Sequence, residues 1–146
     1  MKQVGFAVVA DDGWGLTGSE HVWCEEIDGL FELLSVPFGV KGLAVGDRFR
    51  AEADPINGCV FEHELVEQSG HSLVLVRDNR KIGFDASRDY LESLGCRSET
   101  LAQCNLLAVD IPAAVGRAEI GTAISQLKRA GFEVLPRVWR HAVGSD

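Results

Sequence analysis

Positive charge is scarce in the first half of this chain. Residues 1–70 hold four Lys and Arg against thirteen Asp and Glu, a net of −9, while residues 71–146 hold ten bases against nine acids, a net of +1. A phosphate backbone is held by clustered Lys and Arg, so this imbalance argues against nucleic acid and anionic membrane as partners and favours a basic protein surface. Long apolar runs are missing too. Val4–Ala10 is stopped by Asp11-Asp12, too soon for a membrane span and short for a signal core, so a cytoplasmic protein is expected.

The four cysteines, Cys24, Cys59, Cys96 and Cys104, form neither a C-x-x-C nor a zinc-ribbon pattern. Reduced, mostly buried thiols are expected in a cytoplasmic chain. Phosphate-cradling glycine motifs are also lacking. Gly13, Gly15 and Gly18 surround Trp14, but no helix follows to receive an anion, so they read as loop glycines. Trp14, Trp23 and Trp139 lack the surrounding positive charge of a base-stacking platform and are expected to be core or interface anchors.

What remains is an ordinary globular composition: 146 residues, 46% hydrophobic, mean hydropathy +0.05. A chain of this size builds a core without a disulfide or metal. It reads as one compact domain or two small lobes, 1–71 and 72–146.

The first lobe reads as strands punctuated by turns. His21–Ile27 and Leu30–Val36 flank Asp28-Gly29, a pair that suits a two-residue hairpin because both positions tolerate positive φ. Pro37 ends the second arm. Gly46-Asp47 turns into Arg48–Asp54, where Phe49, Ala51 and Ala53 alternate with Arg48, Arg50, Glu52 and Asp54 as on a half-buried strand. Asn57-Gly58 predicts a second hairpin turn, into Cys59–Glu67. Close-spaced strands of this kind predict a curled antiparallel sheet or small barrel.

The second lobe changes rhythm. Ser72–Arg77 is a buried strand, and Ala86–Leu94 a helix with Asp85 or Ser87 as N-cap and Gly95 as terminator. Arg97–Ala102 and Leu106–Ile111 are strands. Arg117–Ala130 is a helix with Ile120, Ile124 and Leu127 on one face. Phe132–Trp139 is a final strand, and Pro136 gives it an edge position or a bulge. This β-α-β-β-α-β order predicts a ferredoxin-like unit, and the whole an α+β fold in which the N-terminal sheet packs on it.

Candidate chemistry is thin. His21 and Cys24 cannot share a strand face, whereas Cys59 and His63 can; neither pair supplies the four ligands of a zinc site or a group to orient a nucleophile. No metal, cofactor or catalytic residue is assigned. The acids are the salient group: Glu25, Glu26, Asp28 and Glu32 flank the first hairpin, and Glu62, Glu64 and Glu67 follow the second. Glu62 and Glu64 point the same way on a strand, and like charges so aligned form a docking surface for Lys and Arg.

Trp23-Cys24-Glu25, Val36-Pro37-Phe38, Gly42-Leu43-Ala44-Val45-Gly46-Asp47 and Val109-Asp110-Ile111-Pro112 together resemble a bacterial family of small proteins, domain of unknown function 4265. The resemblance runs from Trp23 to Trp139 and includes Ser69-Gly70 before a strand ending at Arg77. It implies no catalytic residue. The same residues also have a structural account as a strand end, an apolar loop anchor and a tight turn.

The function expected is therefore binding without catalysis: an acidic immunity protein that occludes a basic, nuclease-type toxin domain through Glu25, Glu26, Asp28, Glu32, Glu62, Glu64 and Glu67. The alternatives are a ferredoxin-like small-molecule-binding regulatory module, marked by an apolar pocket with convergent polar groups, and an enzyme gathering Asp85, Arg88 and Asp110.

Overall fold

A computed structural model describes residues 1–8 and 18–141. The expected loop at Asp11-Asp12, with Gly13, Trp14 and Gly15, lies outside the described residues. The chain divides into two compact units, Met1–Ser69 and Gly70–Asp146.

In the first unit β1 (Lys2–Val8), β2 (Gly18–Ile27), β3 (Leu30–Leu33), β4 (Arg48–Ala51) and β5 (His63–Glu67) form one antiparallel sheet in sequential order. Alternation sets its faces. Val22 and Cys24 point inward with Val4, Phe6, Leu33 and Phe49, while Trp23 and Glu25 point outward. The rings of Phe6 and Phe31 each lie 5.7 Å from that of Phe49. The β2–β3 hairpin pairs Ile27 with Leu30 around Asp28 (φ 52°) and Gly29 (φ 80°), the double positive φ of a type I′ turn.

Just before β5 the chain returns to β1. Phe6 makes a parallel bridge to Val60, with Ala7 N–H donating to Val60 O at 2.9 Å and Val60 N–H to Gly5 O at 2.7 Å. Two acids fix the long β3–β4 connection. Glu20 accepts the amides of Phe38 (2.6 Å) and Gly39 (2.8 Å), and the fully buried Asp47 accepts those of Ala44 and Ser69, both at 2.9 Å. Buried carboxylates are tolerated when donors surround them in this way.

The second unit runs β6 (Ser72–Arg77), α1 (Asp85–Ser93), β7 (Arg97–Leu101), a 3-10 turn (Ala102–Cys104), β8 (Leu106–Ile111), α2 (Arg117–Arg129) and β9 (Glu133–Val138). Its sheet order is β7-β8-β6-β9, antiparallel throughout. One core joins Val74, Val76, Leu107 and Val109 of the sheet to Leu91 of α1 and to Ile120, Ala123 and Leu127 of α2. Each helix closes with a Schellman pair: Gly95 to Glu92 with Cys96 to Leu91, and Gly131 to Lys128 with Phe132 to Leu127. Pro136 has both predicted features, since β9 is an edge strand and its register with β6 shifts between Leu73 and Val74.

The expected fold class is corrected. Among the described residues the chain is mostly antiparallel β in two sheets with two α-helices, not an α+β fold built on a ferredoxin-like βαββαβ unit. Counting elements gave the helices more weight than they carry: α1 and α2 have nine and thirteen residues beside two complete sheets. No closed barrel forms either, because among the described residues the first sheet's edges meet at Phe6–Val60 and not along a β1–β5 ladder. Two local details also differ. Phe84, not Asp85 or Ser87, is the N-cap of α1, without a side-chain cap. The turn before β5 is longer than a two-residue hairpin, because Asp54 Oδ1 accepts the amides of Ile56 (2.8 Å) and Asn57 (3.4 Å).

Candidate functional site

The strand registers place the candidate acids. Glu25 stands opposite Glu32, Glu32 opposite Arg48, and Arg48 opposite Glu67, so one row crosses β2 to β5 on the outward face. Glu32 reaches Arg48 Nε at 3.1 Å. A second row begins at Arg50 and Glu64, whose Nη1 and Oε1 are 2.6 Å apart. Glu26 follows Glu25 in β2 and so takes the other face, where Lys2 Nζ meets it at 2.8 Å. Asp28 sits at the hairpin tip. The expected single acidic surface is thus resolved into separate parts. Six of the seven acids are exposed, and Glu32 is half-buried.

Three of the first unit's four cations are engaged by Glu26, Glu32 and Glu64. Glu25, Asp28, Glu62 and Glu67 have no ion-pair partner among the described residues.

Glu62 and Glu64 do come together, although Glu62 precedes β5. Both line an open cleft of about 680 Å3 at the end of the β4–β5 pair, with Arg50, Glu52, Asp54 and Phe61. Ala51 and His63 form the last registered pair, so Glu52 and Glu62 occupy the next position on each chain. Beside them Phe61 is 59% exposed and Ile56, at the turn, 94%. Glu52, not among the seven expected acids, lines the cleft as well. Its alternation with Arg50 was visible, but its neighbour Glu62 depends on the strand register.

His63 is not placed for metal chemistry with Cys59. Its Nε2 lies 2.8 Å from Lys41 O, and its ring stands edge-on to Phe6 at 5.6 Å. Among the described residues no group of three or more His, Cys, Asp and Glu is arranged to hold a metal ion. The thiols of Cys24 and Cys96 are buried, and burial pushes both up to about 11.

In the second unit Asp85, Arg88 and Asp110 do not converge. Arg88 donates to Ser98 Oγ at 3.2 Å and Thr100 Oγ1 at 3.3 Å, while Arg97, on the alternate face of β7, stands opposite Asp110. Asp110 accepts from His71 Nδ1 at 2.7 Å. Burial pushes its carboxyl above the ordinary range, against the opposing pull of His71 and Arg97. Ser72 and His141 form a second buried contact: the serine hydroxyl donates to Nδ1 at 2.6 Å, its oxygen accepts the Arg140 amide at 2.7 Å, and Nε2 donates to Pro112 O at 3.0 Å. Ser72 is fully buried, so this pair fastens the segment just after β9 to the start of β6 and presents no open nucleophile.

No helix among the described residues is long and apolar enough to cross a membrane. No curated protein matches the chain. A crystal structure of a hypothetical protein from Neisseria gonorrhoeae is similar in fold, with a TM-score of 0.71 and 16% identity over 94% of this chain and 96% of that one. The motif residues that occupy the turns and strand ends above fall within residues 20–134, the span matched by the model of the family described as Domain of unknown function (DUF4265), and this chain belongs to that family.

Proposed function

We propose that this protein is a non-catalytic acidic binder, a cytoplasmic immunity protein that neutralises a basic, nuclease-type bacterial toxin domain by direct occlusion. The observation that carries this reading is the surplus of exposed carboxylates in the first unit. After Lys2, Arg48 and Arg50 are paired, Glu25, Asp28, Glu52, Glu62 and Glu67 still lack ion-pair partners among the described residues. A nuclease cleft must hold phosphate and is therefore basic. An acidic surface competes for the same groups, and its field speeds encounter. Exposed acids of one sign cost the isolated protein little in water and gain a counter-charge in the complex.

The test is co-expression with the product of the adjacent gene. Protection from that product's toxicity, with loss of its nuclease activity in a stoichiometric mixture, is expected. Undiminished nuclease activity at a molar excess of this protein contradicts the reading.

A further inference from the structure

We infer that Asn57-Gly58 is a site of spontaneous deamidation gated by the turn that Asp54 closes, so that the modification proceeds only through local opening of residues 54–59.

The chemistry follows from the residue pair. A backbone nitrogen can attack the side-chain amide carbon of the asparagine before it. The Gly58 nitrogen gives its proton to solvent and bonds to Asn57 Cγ; the Cγ–Nδ2 bond breaks, and the amide nitrogen takes up a proton and leaves as ammonia. Water then opens the cyclic imide at either carbonyl, leaving aspartate or isoaspartate at position 57. No electrons are transferred, and water is the only co-reactant. Glycine suits the attack because it has no Cβ to crowd its nitrogen. Both residues are exposed, and no heavy atom lies within 4 Å of the position a Cβ would take at Gly58, so there is room for the ring to form.

The reacting groups are nonetheless engaged. Gly58 N–H donates to Asp54 O at 2.8 Å, so the nitrogen that must lose its proton holds it in a hydrogen bond. Asn57 Oδ1 accepts Cys59 N–H at 2.9 Å, which fixes the amide to be attacked. Asp54 secures the frame around them. Its Oδ1 takes the amides of Ile56 at 2.8 Å and Asn57 at 3.4 Å, and its own N–H donates to Cys59 O at 2.8 Å. Cyclisation breaks the bonds made by Gly58 N–H and Asn57 Oδ1, and the rate therefore scales with the population of the opened turn. The reaction has a structural consequence. It adds a carboxylate to a half of the chain already at −9, and the isoaspartate product lengthens the backbone of a turn whose hydrogen bonds depend on its spacing.

The experiment incubates the full chain at mildly alkaline pH, folded and in urea, and follows conversion at Asn57 by peptide mass spectrometry. The folded chain is expected to react about tenfold more slowly than the unfolded chain, or more slowly still, the scale of two net hydrogen bonds. In the folded chain Asp54→Ala should accelerate conversion about fivefold, while Asp54→Asn, which keeps an acceptor oxygen, changes it by less than about twofold. Neither substitution should change the rate in urea. Gly46→Ala lowers global stability through its contact with Ser69 and should leave the folded-state rate within about twofold of the parent. Equal rates for the folded and unfolded parent overturn the gate. Equal acceleration by Gly46→Ala and Asp54→Ala assigns the protection to global unfolding and overturns it too. No conversion at Asn57 even in urea overturns the site itself.

Discussion

Replacing Gly46 by alanine is expected to cost far more than the same change at Gly29, although both have positive φ, 86° and 80°. At Gly29 no heavy atom lies within 4 Å of the position a Cβ would take, so only the left-handed backbone penalty applies, about 1–2 kcal/mol. At Gly46 the new Cβ would stand 2.9 Å from Ser69 Cβ. Ser69 cannot easily move. Its amide is held by Asp47 Oδ1 at 2.9 Å, and its hydroxyl donates to Val45 O at 2.6 Å. Overpacking against such a fixed neighbour adds roughly 1–3 kcal/mol, for a total on the order of 2–5 kcal/mol. Urea unfolding of the parent and both variants, read by circular dichroism, measures the difference directly. Equal losses at the two positions would refute the close approach and, with it, the account of Gly46-Asp47 as a packed turn.

The thiols should separate into two classes. At pH 8 the half-buried Cys59 and Cys104 react quickly with a disulfide reagent, while Cys24 and Cys96 react slowly, because a rise of about two units lowers the thiolate fraction about a hundredfold. Four equal rates contradict the burial. The same shift sets a pH dependence. These thiols keep their protons in the fold after the unfolded chain has lost them, so their contribution is intact below about pH 9. It falls as pH rises towards 11, by up to about 3 kcal/mol per thiol, and the fall is absent in the Cys24→Ala, Cys96→Ala variant. Ser72→Ala removes the acceptor of the Arg140 amide and the donor to His141, and should cost about 1–3 kcal/mol in urea unfolding; an unchanged midpoint contradicts the fastening role.

The parts of this fold that were legible in the sequence are those governed by neighbours along the chain. Asp28-Gly29 dictates its own turn, because few residue pairs accept two positive φ angles. The spacing of Ile120, Ile124 and Leu127 dictates a helix face, and Pro136 an edge. Asn57-Gly58 misled because Asp54, three residues before Asn57, captures the turn with its carboxylate and delays β5 to His63. Glu20, Asp47 and Ser72 were illegible as structural anchors, since their partners Phe38, Ser69 and His141 lie 18, 22 and 69 residues away. The acids were visible as residues but not as a surface. Which of them share a face follows from registers such as Glu25 with Glu32 and Ala51 with His63, and alternation within one strand cannot supply these.

The central claim is that exposed, unpaired carboxylates of the first unit drive association with a basic protein. Its most direct test is the association rate constant with the adjacent gene's product, measured by stopped flow for the parent and for Glu25→Lys, Glu62→Lys, Glu67→Lys. These three acids are exposed and have no ion-pair partner among the described residues, so their reversal leaves the fold intact. The account predicts a rate that falls steeply with added salt for the parent, and a drop on the order of tenfold or more for the triple variant at low salt. Equal rates for the two proteins, or a parent rate indifferent to salt, would contradict it.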